Sequence, residues 1–194
     1  MNTTLLDYLR ERRSAPLLQA PGPSSAQICQ LIACATQVPD HRRLLPWRVI
    51  VLVEDDRIQL GEIWARHLAR TDAEADVLMR NALRAPVILL CICSLKDEPK
   101  VPPEEQLITA GLATYTLLMA ANALGYGGYW RTGQAAGHTE LNQELGLQAH
   151  ESLVGYLYLG TPVGQNAAKP RPTSANLPLR FGLPLQSECE QMGQ

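Results

Sequence analysis

Apolar residues recur at helical spacing through most of this chain, and a few short apolar runs break that rhythm. Leu5, Leu6 and Leu9 mark a short N-terminal helix that Thr3 or Thr4 can cap and that ends near Arg12. A proline-rich loop, residues 16–23, follows. Ser24-Ser25 opens a second helix with Ile28, Leu31, Ile32 and Ala35 on one face, and Pro39 closes it. The first break is Arg48-Val49-Ile50-Val51-Leu52-Val53, too continuously apolar for a half-exposed strand, which predicts cover on both faces. Asp55-Asp56 can cap a third helix running to about Arg70, and a shorter one spans Asp72 to Leu83. Pro86 to Cys93 reads as a second buried strand.

The longest apolar stretch runs from Glu104 to Leu124. Thr109, Thr114, Thr116 and Asn122 interrupt it and glutamates precede it, so it predicts a central core helix rather than a membrane span. Gly125 is its expected C-cap. Gly128 to Arg131 predicts a short strand, Thr139 can cap a helix over Glu140 to Leu145, and Leu153 to Leu159 reads as a third apolar strand. This order of elements predicts an α+β sandwich, with helices flanking a central mixed, mostly antiparallel sheet. The 194 residues fit one domain, with a core over about 3–162 and an extended, proline-rich C-terminal arm over 163–194. Leu177, Leu179, Phe181 and Leu183 alternate within that arm.

Charge narrows the partners. Net charge is −2 and no lysine–arginine run exceeds two residues, which argues against a nucleic-acid or anionic-membrane surface. Five cysteines, at 29, 34, 91, 93 and 189, form no Cys-x-x-Cys pair and no even disulfide set, so no metal site is expected. Reduced thiols predict a cytoplasmic protein, and the opening residues carry no basic segment followed by an apolar run, so no signal peptide is expected.

Candidate chemistry lies in two separated clusters. Arg12-Arg13-Ser14 follows the first helix and could grip an anion, since a guanidinium fork bonds phosphate in a bidentate way. On Arg12-Arg13 alone, the favoured reading is that they do no more than complement the helix dipole. Gly125-Tyr126-Gly127-Gly128-Tyr129-Trp130-Arg131-Thr132 is the second cluster. Its glycines have the wrong order for a dinucleotide fold, because here a helix runs into them and a strand leaves. Of the four histidines, His67 and His150 read as solvated, and His138 sits just before a helix cap. His41, beside Asp40 and Arg42-Arg43, lies in a loop where a ligand could reach it. No nucleophile or acid–base pair stands out, so the catalytic residues of the protein itself are none. An enzyme of this kind would let an organic cofactor carry the chemistry.

Four segments taken in order resemble the flavin-dependent nitroreductase family. They are Arg12-Arg13-Ser14, Val38-Pro39-Asp40-His41 through Leu45-Pro46-Trp47, Gly125 through Thr132, and Val154-Gly155-Tyr156-Leu157-Tyr158-Leu159-Gly160-Thr161-Pro162. The resemblance covers roughly residues 5 to 165. It implies an FMN-dependent oxidoreductase that uses NAD(P)H to reduce a small-molecule acceptor such as a nitroaromatic or quinone by ping-pong hydride transfer. It also implies a homodimer with FMN at the interface. Under it, Arg12, Arg13, Ser14, Gln37, His41, Trp130, Arg131 and Thr132 hold FMN, with His41 reaching over from the partner. Ala120, Ala121, Asn122, Ala123, Leu124 and Gly125 correspond to a stretch associated with the nicotinamide donor. Leu45 stands where the family usually has a glutamine, which removes an amide contact. The alternative is an FMN-binding sensor or carrier without turnover.

Overall fold

The computed structural model describes residues 5–164. The expected Thr3 or Thr4 cap, Cys189 and all of the arm after Gly164 lie outside the described residues. Six α-helices and five strands follow in the order α1 (Leu5–Glu11), β1 (Leu18–Gln19), α2 (Ser25–Ala35), β2 (Trp47–Val53), α3 (Asp55–Leu68), α4 (Asp72–Ala82), β3 (Val87–Ser94), α5 (Pro103–Ala123), β4 (Gly127–Arg131), α6 (Thr139–Glu144) and β5 (Glu151–Pro162). The sheet order is β1-β5-β3-β2, with β4 pairing on β5 as well. All four ladders are antiparallel, so the mixed sheet expected from sequence is wholly antiparallel among the described residues. No described helix is long and apolar enough to cross a membrane.

Strand alternation sends side chains into two cores, one on each face of the sheet. On one face α2 and α5 bury Ile28, Leu31, Ala113, Leu117 and Ala121 against Leu89, Cys91, Leu157 and Leu159. On the other, α3, α4 and α6 bury Leu60, Trp64, Ala82 and Leu141 against Ile88, Leu90, Tyr156 and Tyr158. Every residue of β3 is buried, because β3 lies between β2 and β5 with a helical layer on both faces. At about 25 cal/mol per Å² of apolar surface, such a strand is among the largest single contributions to stability.

Four local expectations need correction or refinement. β2 is covered on both faces as expected, Ile50 and Leu52 packing on one core and Val49, Val51 and Val53 on the other, but it is only half-buried because it is a sheet edge with one lateral side open. The 16–23 loop contains the two-residue strand β1, which pairs Leu18 with Pro162. The cap of α6 is His138, not Thr139, for its Nδ1 accepts the Leu141 N–H at 3.3 Å. His67 is not simply solvated, since its Nε2 lies 2.6 Å from a Glu144 carboxylate oxygen that joins α3 to α6. Elsewhere local chemistry acts as read. Ser24 and Gln27 form a reciprocal capping box at the start of α2. Cys91 and Cys93 are buried and free, while Cys29 and Cys34 are free and exposed on α2.

α5 positions everything that follows. It runs antiparallel to α2: the Thr109 hydroxyl donates to the Pro39 carbonyl near one end, and the Tyr126 hydroxyl donates to the Gln27 side chain past the other. Its inner side is buried, yet Leu107, Ile108, Leu112 and Tyr115 are exposed on its outer side. A helix apolar on all sides is ordinarily covered on all sides.

Candidate functional site

The first arginine cluster is built onto the C-terminal end of α5. α1 is anchored there by the Tyr8 hydroxyl, which donates to the Met119 carbonyl at 2.6 Å. The chain then leaves α1 and joins β4, with the Ala15 N–H donating to the Gly128 carbonyl at 2.9 Å. Arg12 and Arg13 thereby line a cleft with Tyr8, Glu11, Asn122 and Gly125. Arg13 also does the helix-end work that the dipole argument allowed. Its Nη1 donates to the carbonyls of Arg10, Glu11 and Arg12 at 3.0 to 3.1 Å. That leaves its Nε buried with no partner. A buried, unpaired guanidinium N–H is costly and invites an acceptor. The Arg12 Nη1 reaches Ser14 Oγ at 3.5 Å.

The end of α5 is closed chiefly by backbone bonds. Gly125, at φ +87°, follows the cap, the Tyr126 N–H donates to the Ala121 carbonyl, and the Gly125 N–H donates to that of Asn122. This paired arrangement needs a left-handed residue that glycine supplies without strain. Of the stretch Ala120 to Gly125, Ala121 is fully buried, whereas Asn122 and Gly125 face the arginine cleft. Asn122 donates its amide to the Tyr126 carbonyl at 2.7 Å.

β4 divides the second cluster between the two faces of the sheet. Trp130 packs toward the α2/α5 core, its Nε1 donating to the Val154 carbonyl at 3.4 Å. Gly155 makes room for that indole; a Cβ there would strike it. Arg131 points to the opposite face, lies 5.8 Å from the Tyr129 ring centre, and lines a cavity of about 290 Å³ with Thr132, Trp64, Tyr156 and Tyr158. Burial pushes the Tyr158 hydroxyl up to about 12, although Arg131 and Arg84 pull the other way. The tyrosines here are therefore neutral hydrogen-bonding groups. The cleft of Arg12 and Arg13 and the cavity of Arg131 and Thr132 are separate in one chain.

His41 belongs to the other end of α5. It starts a 3-10 turn, His41–Arg43, and its Nδ1 lies 2.9 Å from the Glu105 carboxylate in the first turn of α5. Gln37 is exposed just past the end of α2, its side chain donating to the Thr36 hydroxyl. At about 1.5 Å per residue, Glu105 and Asn122 stand roughly 25 Å apart along the helix. One chain therefore keeps Gln37 and His41 away from Arg12, Arg13 and Ser14. Leu45 is exposed in the same loop as His41. Asp40, Glu105 and Tyr8 were not singled out from sequence, and only the position of Asp40 beside His41 hinted at its part.

Residues 9–161 match the model of the Nitroreductase family. The chain belongs to the nitroreductase family, a family of oxidoreductases. It is 34% identical over 160 residues, 81% of this chain and 87% of the relative, to the Escherichia coli protein named "Putative NAD(P)H nitroreductase YdjA". It is 27% identical to YfhC of Bacillus subtilis over 83% of this chain and 86% of that one. Among solved structures, a nitroreductase-like family protein from Bacillus cereus superposes with a TM-score of 0.83 at 18% identity, covering 94% of this chain and 98% of the other. A Desulfovibrio desulfuricans protein described as a "putative nitroreductase in complex with fmn" superposes at 0.72 with 25% identity, covering 95% and 100%. The sandwich expected from sequence, and the family it resembled, are thus both found.

Proposed function

We propose that this protein is an FMN-dependent oxidoreductase, active as a homodimer, with each flavin site assembled from two chains. Bound FMN would supply the chemistry, taking a hydride from NAD(P)H and passing reducing equivalents to a nitroaromatic, quinone or related small acceptor in a ping-pong cycle. The observation that carries the reading is Arg13, which lines the cleft together with Arg12 and whose Nε is buried without a partner. Arg12 and Ser14 add charge and a hydroxyl beside it.

Two copies packed through the exposed apolar side of α5 would set the first turn of one α5 near the last turn of the other. A two-fold axis makes such a face self-complementary. Exposed Leu107, Ile108, Leu112 and Tyr115, together with Leu5, Leu6 and Leu9 of α1, supply the surface. The partner's own copies of residues 37 and 41 would then close a site that one chain leaves open. Arg131 and Thr132, at the end of β4, line a cavity separate from the arginine cleft in one chain, and the family resemblance is what gives them a part in holding the polar tail of the cofactor. Asn122 and Gly125 line the approach proposed for the nicotinamide donor. A guanidinium or backbone N–H near the flavin would stabilise negative charge there without moving a proton. The relatives named for NAD(P)H and the flavin-bound neighbour support the choice of donor and cofactor.

The test is an absorbance spectrum of purified protein with FMN, then anaerobic NADH or NADPH. A bound-flavin spectrum that bleaches supports the reading and identifies the donor. A bound spectrum that stays oxidised favours a flavin-binding sensor or carrier, the reading that exposed Leu45 in the His41 loop keeps open. Absence of flavin binding removes both.

A further inference from the structure

The loop from Pro39 to Trp47 is the most strained segment among the described residues. Arg42, Arg43 and Leu45 have φ of 63°, 54° and 47°, three non-glycine residues in the left-handed region within four positions. Each such residue costs on the order of 1 kcal/mol. A loop this short holds that conformation only where its surroundings over-determine it.

The restraints converge on Asp40. One carboxylate oxygen accepts the Leu44 N–H at 3.2 Å and the other accepts the Leu45 N–H at 2.7 Å. The Arg43 N–H adds a bond to the Asp40 carbonyl at 3.1 Å. Both N–H groups of the turn that leads into Leu45 thus point at one side chain. The outer restraints are weaker. Arg42 meets the Glu98 carboxylate at 3.2 Å, His41 meets Glu105, and the Pro46 carbonyl accepts the Ser94 N–H at 2.9 Å. Those ion pairs are solvent-facing and contribute little individually. A carboxylate accepting two backbone N–H bonds is the stronger clasp.

We infer that Asp40 is a positioning residue that preforms the 40–46 loop, so that His41 and Leu45 stand outward in a fixed arrangement toward the cofactor before it binds. The inference rests on the flavin reading above. The strain lies in an exposed loop and does not serve to bury either side chain: Leu45 and His41 are both exposed. Holding the loop in advance moves the ordering cost from the binding step to folding. Removing the clasp leaves the fold intact and loosens the grip.

The experiment titrates FMN into the full-length wild type, Asp40→Ala and Asp40→Asn by flavin fluorescence, with thermal melts and amide exchange on each. The expected result is a Kd for FMN raised at least 10-fold in Asp40→Ala and less in Asp40→Asn, which keeps one acceptor oxygen. The Leu44 and Leu45 amides should exchange faster in both, and the melting temperature should stay close to wild type. Should Asp40→Ala fold poorly, Asp40→Asn carries the test, with faster exchange at Leu44 and Leu45 and a several-fold weaker Kd. Folded variants that bind FMN as tightly as wild type overturn the inference while leaving the flavin reading in place. A weakened Kd without faster loop exchange also overturns it, since the carboxylate would then act on the cofactor itself. A wild type that takes up no FMN overturns the flavin reading and this inference with it.

Discussion

The two ends of α5 solve the same problem in opposite ways. At the C-terminal end the chain turns through Gly125, where a left-handed conformation is free of steric cost, and backbone bonds with the Asn122 amide close the helix. At the N-terminal end the neighbouring loop turns through Arg42, Arg43 and Leu45, where the same conformation is costly and a carboxylate with two ion pairs must hold it. The relaxed end backs a cleft that carries a buried, unpaired guanidinium nitrogen. The strained end displays an imidazole and an aliphatic side chain to the outside. On the proposed function, the contrast makes each end half of a site: one supplies charge in a recess, the other supplies contacts on a prow, and the two halves come from different chains.

The comparison can be broken most severely at the recessed end. Arg13→Ala removes a charge-assisted bond donor, so FMN affinity should fall by roughly 100-fold. Because Arg13 also bonds three carbonyls at the end of α1, that helix should fray as well, and circular dichroism melts should separate the two effects. Arg13→Lys retains charge without the fork and should recover only part of the affinity. At the displayed end, His41→Ala removes the contact that the Asp40 clasp presents and should weaken FMN by roughly 20-fold in the same titration. Leu45→Gln should leave FMN affinity within about 2-fold and change the ratio of kcat/KM between polar and apolar acceptors by only a few-fold, as stopped-flow reoxidation would measure.

A control away from both ends sharpens the contrast. Arg48 grips Glu151 through Nε at 2.7 Å and Nη2 at 2.6 Å, and that hydrogen bonding holds the Glu151 carboxyl down from 4.5 to about 2. A carboxyl lowered by folding contributes stability that is fully present above its ordinary value and is lost as pH falls toward its folded one. Thermal melts should therefore decline between pH 4.5 and about 2. Glu151→Gln should be less stable at neutral pH and show a shallower decline. Flavin affinity at neutral pH should be the same in both, since Glu151 touches neither end of α5.

Sequence legibility follows the same divide. β3 and α5 were readable because continuous apolar runs of their lengths admit few alternatives, and Gly125 was readable because helix ends favour that residue there. β1 was not, since two residues gain strand pairing only from the distant β5. The edge position of β2 depends on sheet order, which no local pattern encodes. His138 displaced Thr139 as a cap because tertiary packing put the imidazole where a hydroxyl would ordinarily serve. The arginine cluster was legible as chemistry but not as geometry: its bonds to the end of α1 and its distance from His41 appear only once α5 is seen to separate them. Asp40 was legible only as a neighbour of His41, because its role is to hold backbone that sequence alone does not show to be left-handed.

The central claim is that each site draws on both ends of α5 from different chains. The direct test is complementation: Arg13→Ala and His41→Ala proteins are unfolded and refolded together, or co-expressed, and bound FMN is counted at a concentration where neither variant alone retains it. Mixed dimers then contain one site with both residues intact, and random assortment restores about a quarter of all sites. Recovery of that fraction is the predicted result. Flavin binding that stays at the level of the separate variants, in dimers verified as mixed, would contradict the shared site.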